Sequence, residues 1–221
     1  MKAENTLASF GAAVTAGFPA LEMDLRRTAD DEVVVLHDAT VERTTGGKGR
    51  VDGLLMRQVA DLQTRDGPIP RLADLLAVLR GWDGLWNLEV KDPAALAGVL
   101  SLVRQRGLGE RALVSAMDPQ VLEQAATLAP DIPRAFIALG PIEDDDLAAA
   151  KIAGCRWVNA DHDFLDVEEA LRITSEGFRL GAYTVNDPAR ARELDGMGVE
   201  CVITDTTEVL MGLGKHPAHW V

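Results

Sequence analysis

The sequence predicts an α/β fold of repeating β/α units of the TIM-barrel type, forming one domain over residues 1–221. Three observations carry that prediction. Helix-like and strand-like segments alternate from end to end with Gly or Pro between them, the pattern of β/α units rather than of sandwiches or bundles. A length of 221 residues is what one such barrel uses. A hydrophobic content of 47% with a mean hydropathy of +0.02 describes a chain with a sizeable core.

The elements follow in order. Asn5 or Thr6 can cap a helix that packs Leu7, Phe10 and Val14 inward, runs to about Ala16 and stops at Gly17. Strands are expected at about 20–25, 32–37, 84–90, 111–116, 134–139, 156–160, 179–184 and 200–204. Helices fill most gaps, at about 55–63, 71–80, 93–105, 119–128, 143–152, 166–176, 188–196 and 206–213. One gap differs. Between Leu25 and Val33 stand only a few residues, among them the turn-prone Ala29, Asp30 and Asp31, whereas a parallel crossover needs a dozen or more. A hairpin excursion near residues 25–37 is therefore expected. Setting it aside leaves one candidate strand fewer than a closed barrel wants, and the first element is a helix with no strand before it. The first barrel strand is thus expected to be missing from the sequence as given. Thr44 to Gly53 reads as a Gly-rich loop and Gly212 to Val221 as a frayed tail.

Charge narrows the partners. Lys and Arg number 22 against 35 Asp and Glu, a formal net charge of −13 that repels phosphate backbones and acidic membrane surfaces. Nucleic acid is not expected as a partner. Any anionic ligand would need a local positive focus, such as a bound divalent cation with one or two Lys or Arg residues. Cys155 and Cys201 sit in apolar strand-like runs and read as small buried hydrophobes of a reducing compartment. The N-terminus lacks a basic segment followed by an apolar stretch, and no apolar run approaches the ~20 residues that span a bilayer, so a cytoplasmic protein without a membrane span is expected. Oligomeric state is left open.

Glu22 and Asp24 lie two apart on an expected strand, so both face one way and can offer hard oxygen ligands to one divalent cation. Glu89 stands near the end of another strand with Lys91 on the same face, where a lysine can hold a phosphate oxygen. Salt bridges to neighbouring Arg and Lys are the plainer use of such acids. If they share a cation, their carboxylates must lie within about 8 Å of one another. His37, followed by Asp38, ends an apolar run at what would be a barrel mouth, where an imidazole can exchange protons in ester cleavage or merely hydrogen-bond locally. His162 also follows a strand and is a candidate specificity residue; His216 and His219 lie in the tail.

In combination these fragments resemble a family. Glu4-Asn5-Thr6 with Leu7 and Phe10, Leu21-Glu22-Met23-Asp24, Thr28, Val34 to Asp38, and Arg43-Thr44-Thr45 with Gly46 and Gly49 follow one another in order. Ile69-Pro70-Arg71-Leu72, Leu88-Glu89-Val90-Lys91, Tyr183-Thr184-Val185-Asn186, and Gly198 with Ile203-Thr204-Asp205 continue it. The ordered set, covering nearly the whole chain, resembles the glycerophosphodiester phosphodiesterases, whose barrel is of the PLC-like phosphodiesterase kind. The resemblance implies metal-dependent hydrolysis of glycerophosphodiesters, such as those of choline or ethanolamine, to glycerol 3-phosphate and an alcohol. By it, Glu22, Asp24 and Glu89 would bind the divalent cation, Mg²⁺ or Ca²⁺. His37 would be one of two acid/base histidines and Lys91 the phosphate-binding lysine. Tyr183 would lie against the substrate, and Glu4, Asn5 and Asp38 would support the site.

The sequence departs from the family at its start. The family's first strand ends in His-Arg-Gly, supplying the second acid/base and a phosphate-gripping arginine, whereas this chain opens Met1-Lys2-Ala3-Glu4. Either the natural start lies upstream, or the chain is a remnant that binds metal or phosphate without turnover; the chain as given is expected to be impaired. A sphingomyelinase-D-like phospholipase shares the Glu, Asp, His and Lys pattern, but the absence of a secretion signal and of a disulfide framework argues against it.

Overall fold

The computed structural model describes residues 2–209. His216, His219, the frayed tail and the end of the helix expected at 206–213 lie outside the described residues. The chain divides into two compact units, one up to Ala112 and one from Leu113 onward.

The first unit opens with α1 (Leu7–Ala16). Thr6 rather than Asn5 caps it: Thr6 Oγ1 accepts from the Ser9 N–H at 3.1 Å, and Ser9 Oγ accepts from the Thr6 N–H at 3.1 Å. Gly17 ends it at φ 87°, in the left-handed region. β1 (Ala20–Arg27) then turns back into β2 (Val33–Val35), with Leu25 opposite Val35 and Arg27 opposite Val33 in antiparallel register. The expected hairpin excursion is therefore present. Its turn is built by the buried Thr28, whose hydroxyl donates to Asp30 Oδ1 at 2.7 Å and accepts from the Glu32 N–H at 3.1 Å. Asp31 takes φ 64°, a left-handed value that Asp tolerates better than most residues.

The Gly-rich stretch is only partly loop. It contains α2 (Glu42–Thr45) and a 3₁₀ turn at Val51–Gly53, followed by α3 (Met56–Ala60). A small hairpin follows, β3 (Gln63–Thr64) with β4 (Gly67–Pro68), which hydrophobic periodicity does not reveal because it is so short. Val34, Leu36, Val41, Val51, Val59 and Ile69 form a core that roots this excursion on β2. α4 (Leu72–Val78), β5 (Leu85–Val90) and α5 (Leu96–Gln105) complete the unit. β5 is buried at every position and pairs in parallel with β1, which sets Asn87 beside Glu22 and Glu89 beside Asp24.

The second unit repeats strand and helix: β6 (Ala112–Ala116, shared with the first unit at Ala112), α6 (Pro119–Leu128), β7 (Arg134–Ala138), α7 (Asp144–Ile152), β8 (Trp157–Asp161), α8 (Val167–Ser175), β9 (Arg179–Tyr183), α9 (Pro188–Gly196) and β10 (Cys201–Val202). The strands run parallel and adjacent in that order. Asp-Pro pairs start α6 and α9: Asp118 and Asp187 accept from the N–H two residues on, and the proline fills a position whose N–H would have no helical partner. In the middle of the unit the buried Asn159 lies beside Gly181, where a Cβ would stand 2.3 Å from Asn159 Oδ1.

Candidate active site

Strand periodicity puts Glu22 and Asp24 on one face of β1, and the parallel register brings Glu89 of β5 against Asp24. Oxygens of these three carboxylates lie within 4.8 Å of one another, inside the limit a shared cation sets. Asp24 and Glu89 are buried and Glu22 is half-buried. Lys91 reaches into the same cluster, its Nζ 3.3 Å from Asp24 Oδ1 and in an ion pair with Glu89 Oε1.

Burial pushes the Glu89 carboxyl up and Asp24 adds to it, with the Lys91 ammonium only partly offsetting them. Burial opposes charge on Lys91 as well, but Glu89 and Asp24 outweigh it and raise the lysine. Three carboxylates against one ammonium leave excess negative charge in a poorly solvated place, which a divalent cation would neutralise. All-oxygen donors suit a hard ion such as Mg²⁺ or Ca²⁺, so the residues present fit a divalent metal.

Asn5 holds the cluster from the N-terminal side. It adopts φ 54°, donates from Nδ2 to Asp24 Oδ2 at 2.7 Å and accepts the Asp24 N–H at 3.3 Å. Asp24 Oδ2 is thereby committed, and Oδ1 faces Lys91.

His37 follows β2. Its Nδ1 lies 2.8 Å from Asp38 Oδ1, so an ionised Asp38 favours the tautomer with the proton on Nδ1 and makes Nε2 the proton-accepting nitrogen. Arg43 grips both oxygens of Asp38 and both of Glu4, at 2.6 to 2.9 Å. Those hydrogen bonds hold Asp38 and Glu4 below the usual carboxylate range and raise Arg43. Arg26 donates from Nε to the His37 carbonyl at 2.8 Å.

The first unit therefore brings together Glu4, Asn5, Glu22, Asp24, His37, Asp38, Glu89 and Lys91. Sequence reasoning placed Arg43 only within a motif and gave no weight to Arg26, although the two-residue period puts Arg26 on the face of Glu22 and Asp24. Tyr183 belongs to the second unit, where it ends β9 and donates its hydroxyl to the Ala138 carbonyl at 2.6 Å. His162 begins a 3₁₀ turn after β8, and Asp161 accepts the Asp163 N–H there. Cys155 and Cys201 are free, and burial pushes their thiols up to about 12 and about 11.

Known proteins are similar to this chain in sequence and in structure. YhdW of Bacillus subtilis is 29% identical over 227 residues, covering 96% of this chain and 93% of the relative. The glycerophosphodiester phosphodiesterase of Caldanaerobacter subterraneus subsp. tengcongensis is 25% identical over 224 residues, covering 95% and 91%. The structure of an Oleispira antarctica phosphodiesterase in complex with the product sn-glycerol-3-phosphate superposes with a TM-score of 0.89 at 24% identity, covering 95% of this chain and 90% of that one. The fold is accordingly the α/β, TIM-barrel-like one of such phosphodiesterases. The model of the Glycerophosphoryl diester phosphodiesterase family matches residues 2–209, and the chain belongs to that family.

Proposed function

We propose that this chain hydrolyses glycerophosphodiesters to glycerol 3-phosphate and an alcohol with a divalent cation, Mg²⁺ or Ca²⁺, held by Glu22, Asp24 and Glu89. The observation that carries the proposal is the carboxylate cluster itself, three acids within 4.8 Å with Lys91 beside them, in a member of a phosphodiesterase family. The product bound to the Oleispira antarctica phosphodiesterase supports a small-molecule diester as substrate. Among the described residues no helix is long and apolar enough to cross a membrane; a cytoplasmic site of action is part of the proposal.

When bound, the cation supplies Lewis-acid polarisation of a phosphoryl oxygen and offsets charge developing in the transition state. Lys91 binds a second phosphoryl oxygen as a point charge. His37 transfers a proton through Nε2, to or from an ester or attacking oxygen, while Asp38 orients the ring through Nδ1 and stabilises its protonated form. Arg43 fixes Asp38 and ties it to Glu4, and Asn5 orients Asp24.

The test is release of glycerol 3-phosphate from glycerophosphoglycerol with Mg²⁺, with Ca²⁺ and with chelator. Release with either ion that chelation abolishes and His37→Ala lowers by about 10²- to 10⁴-fold supports the proposal. No release in any ion, or release indifferent to chelation, sinks it.

A further inference from the structure

Beside the carboxylate cluster the first unit holds a cavity of about 170 Å³, walled by Arg26, Arg27, Arg50 and Lys91 with Asp52 and Asp92. Four cations and two carboxylates line it, in a chain of net charge −13. Most of the cations are already engaged. Lys91 is held by Asp24 and Glu89, Arg27 pairs with Asp31, and the Arg50 fork lies on Asp52 at 2.8 and 3.0 Å. Asp92 accepts the Ala94 N–H at 3.0 Å. Arg26 is different: its one hydrogen bond runs from Nε to the His37 carbonyl, and its two terminal nitrogens meet no acceptor among the described residues. Arg27 Nε is also buried without an acceptor. A guanidinium with both terminal nitrogens idle in the wall of a cavity is suited to a two-oxygen anion.

We infer that this cavity is a subsite for a second phosphate, a monoester carried on the alcohol half of the diester, gripped by the terminal nitrogens of Arg26 with Arg50 as a second arm. The inference rests on the phosphodiesterase reading above and names the substrate class within it. Arg26 and Lys91 wall one cavity, so a group bonded to a phosphodiester at Lys91 enters the arginine-lined space. With the other cations paired, the Arg26 fork is the charge that a monoester would meet. A quaternary ammonium headgroup would instead meet the Arg26 fork with like charge, so choline diesters are disfavoured.

The experiment compares three diesters of glycerol 3-phosphate, whose alcohols are choline, glycerol and glycerol bearing a terminal phosphate. Their dissociation constants are measured by calorimetry on the His37→Asn protein with Mg²⁺, and glycerol 3-phosphate release is followed in the wild type. Binding is expected to be tightest for the phosphorylated headgroup, by about tenfold over the neutral one, as one charge-assisted pair supplies. Arg26→Gln should bring the two within about threefold, which is what remains when that pair is lost. Asp52→Asn, which releases the Arg50 fork, should widen the preference. Arg50→Gln, at an exposed side chain, should narrow it even if Arg26→Gln does not fold. Equal binding of the three diesters, or an Arg26→Gln loss of the same factor on all of them, overturns the subsite and leaves the phosphodiesterase reading intact. No release from any of the three by the wild type overturns that reading and this inference together.

Discussion

Asn5 is not itself an expected cation ligand, yet it bonds to one, Asp24, and decides which of its oxygens is available. Its amide occupies Oδ2 and leaves Oδ1 to the cluster. Asn5→Ala should therefore weaken divalent-ion binding by about 10- to 100-fold, the usual effect of removing an orienting partner, as calorimetric titration would measure. An unchanged affinity would mean that the strand alone orients Asp24. Arg43 carries a different prediction. It holds Glu4 and Asp38 below their ordinary range, and a carboxylate lowered in the folded state stabilises the fold above its unfolded value and loses that contribution as pH falls. Both acids are partly exposed, so Arg43→Met should cost up to about 1 kcal/mol near neutral pH. The gap in urea midpoint between mutant and wild type should narrow as pH falls below the ordinary carboxylate range and close only below the lowered folded-state values. A gap that is constant with pH would assign Arg43's contribution to packing instead.

Elements explain why some of this was legible in the sequence and some was not. The hairpin of β1 and β2 was visible because too few residues separate Leu25 from Val33 for any parallel crossover, and because Asp30 and Asp31 favour a turn. The alternation of Glu22 and Asp24 along β1 was visible for the same geometric reason. That Glu89 would join Asp24 was expected from the family resemblance; spacing alone could not show it, because it depends on the register of two strands far apart in the chain. Nor could spacing show the junction of Arg43 with Glu4, which spans 39 positions and comes from an arginine inside what reads as a Gly-rich loop. β3 and β4 escaped because two residues per strand carry no period. At the level of β8 and β9, the Asn159–Gly181 contact gives a direct test. Gly181→Ala drives a Cβ against a buried amide oxygen, and overpacking of that kind costs about 1–3 kcal/mol in denaturant unfolding. A smaller loss would mean that Asn159 can swing away.

For the whole molecule, an ion bound only by the folded chain raises stability by mass action. Mg²⁺ or Ca²⁺ at about one hundred times its dissociation constant should add about 2.7 kcal/mol, seen as a rise of several degrees in melting temperature that chelator reverses. The ammonium of Lys91 makes that number a difference between two occupancies. Lys91 pairs with both Asp24 and Glu89, so a cation shared by the three carboxylates would compete with the lysine for two of them. Lys91→Met should therefore melt lower than the wild type without ion, since it leaves buried carboxylates uncompensated, and gain more from each increment of ion. A lysine so tethered would trade some ion affinity for buried carboxylates that keep a partner of their own.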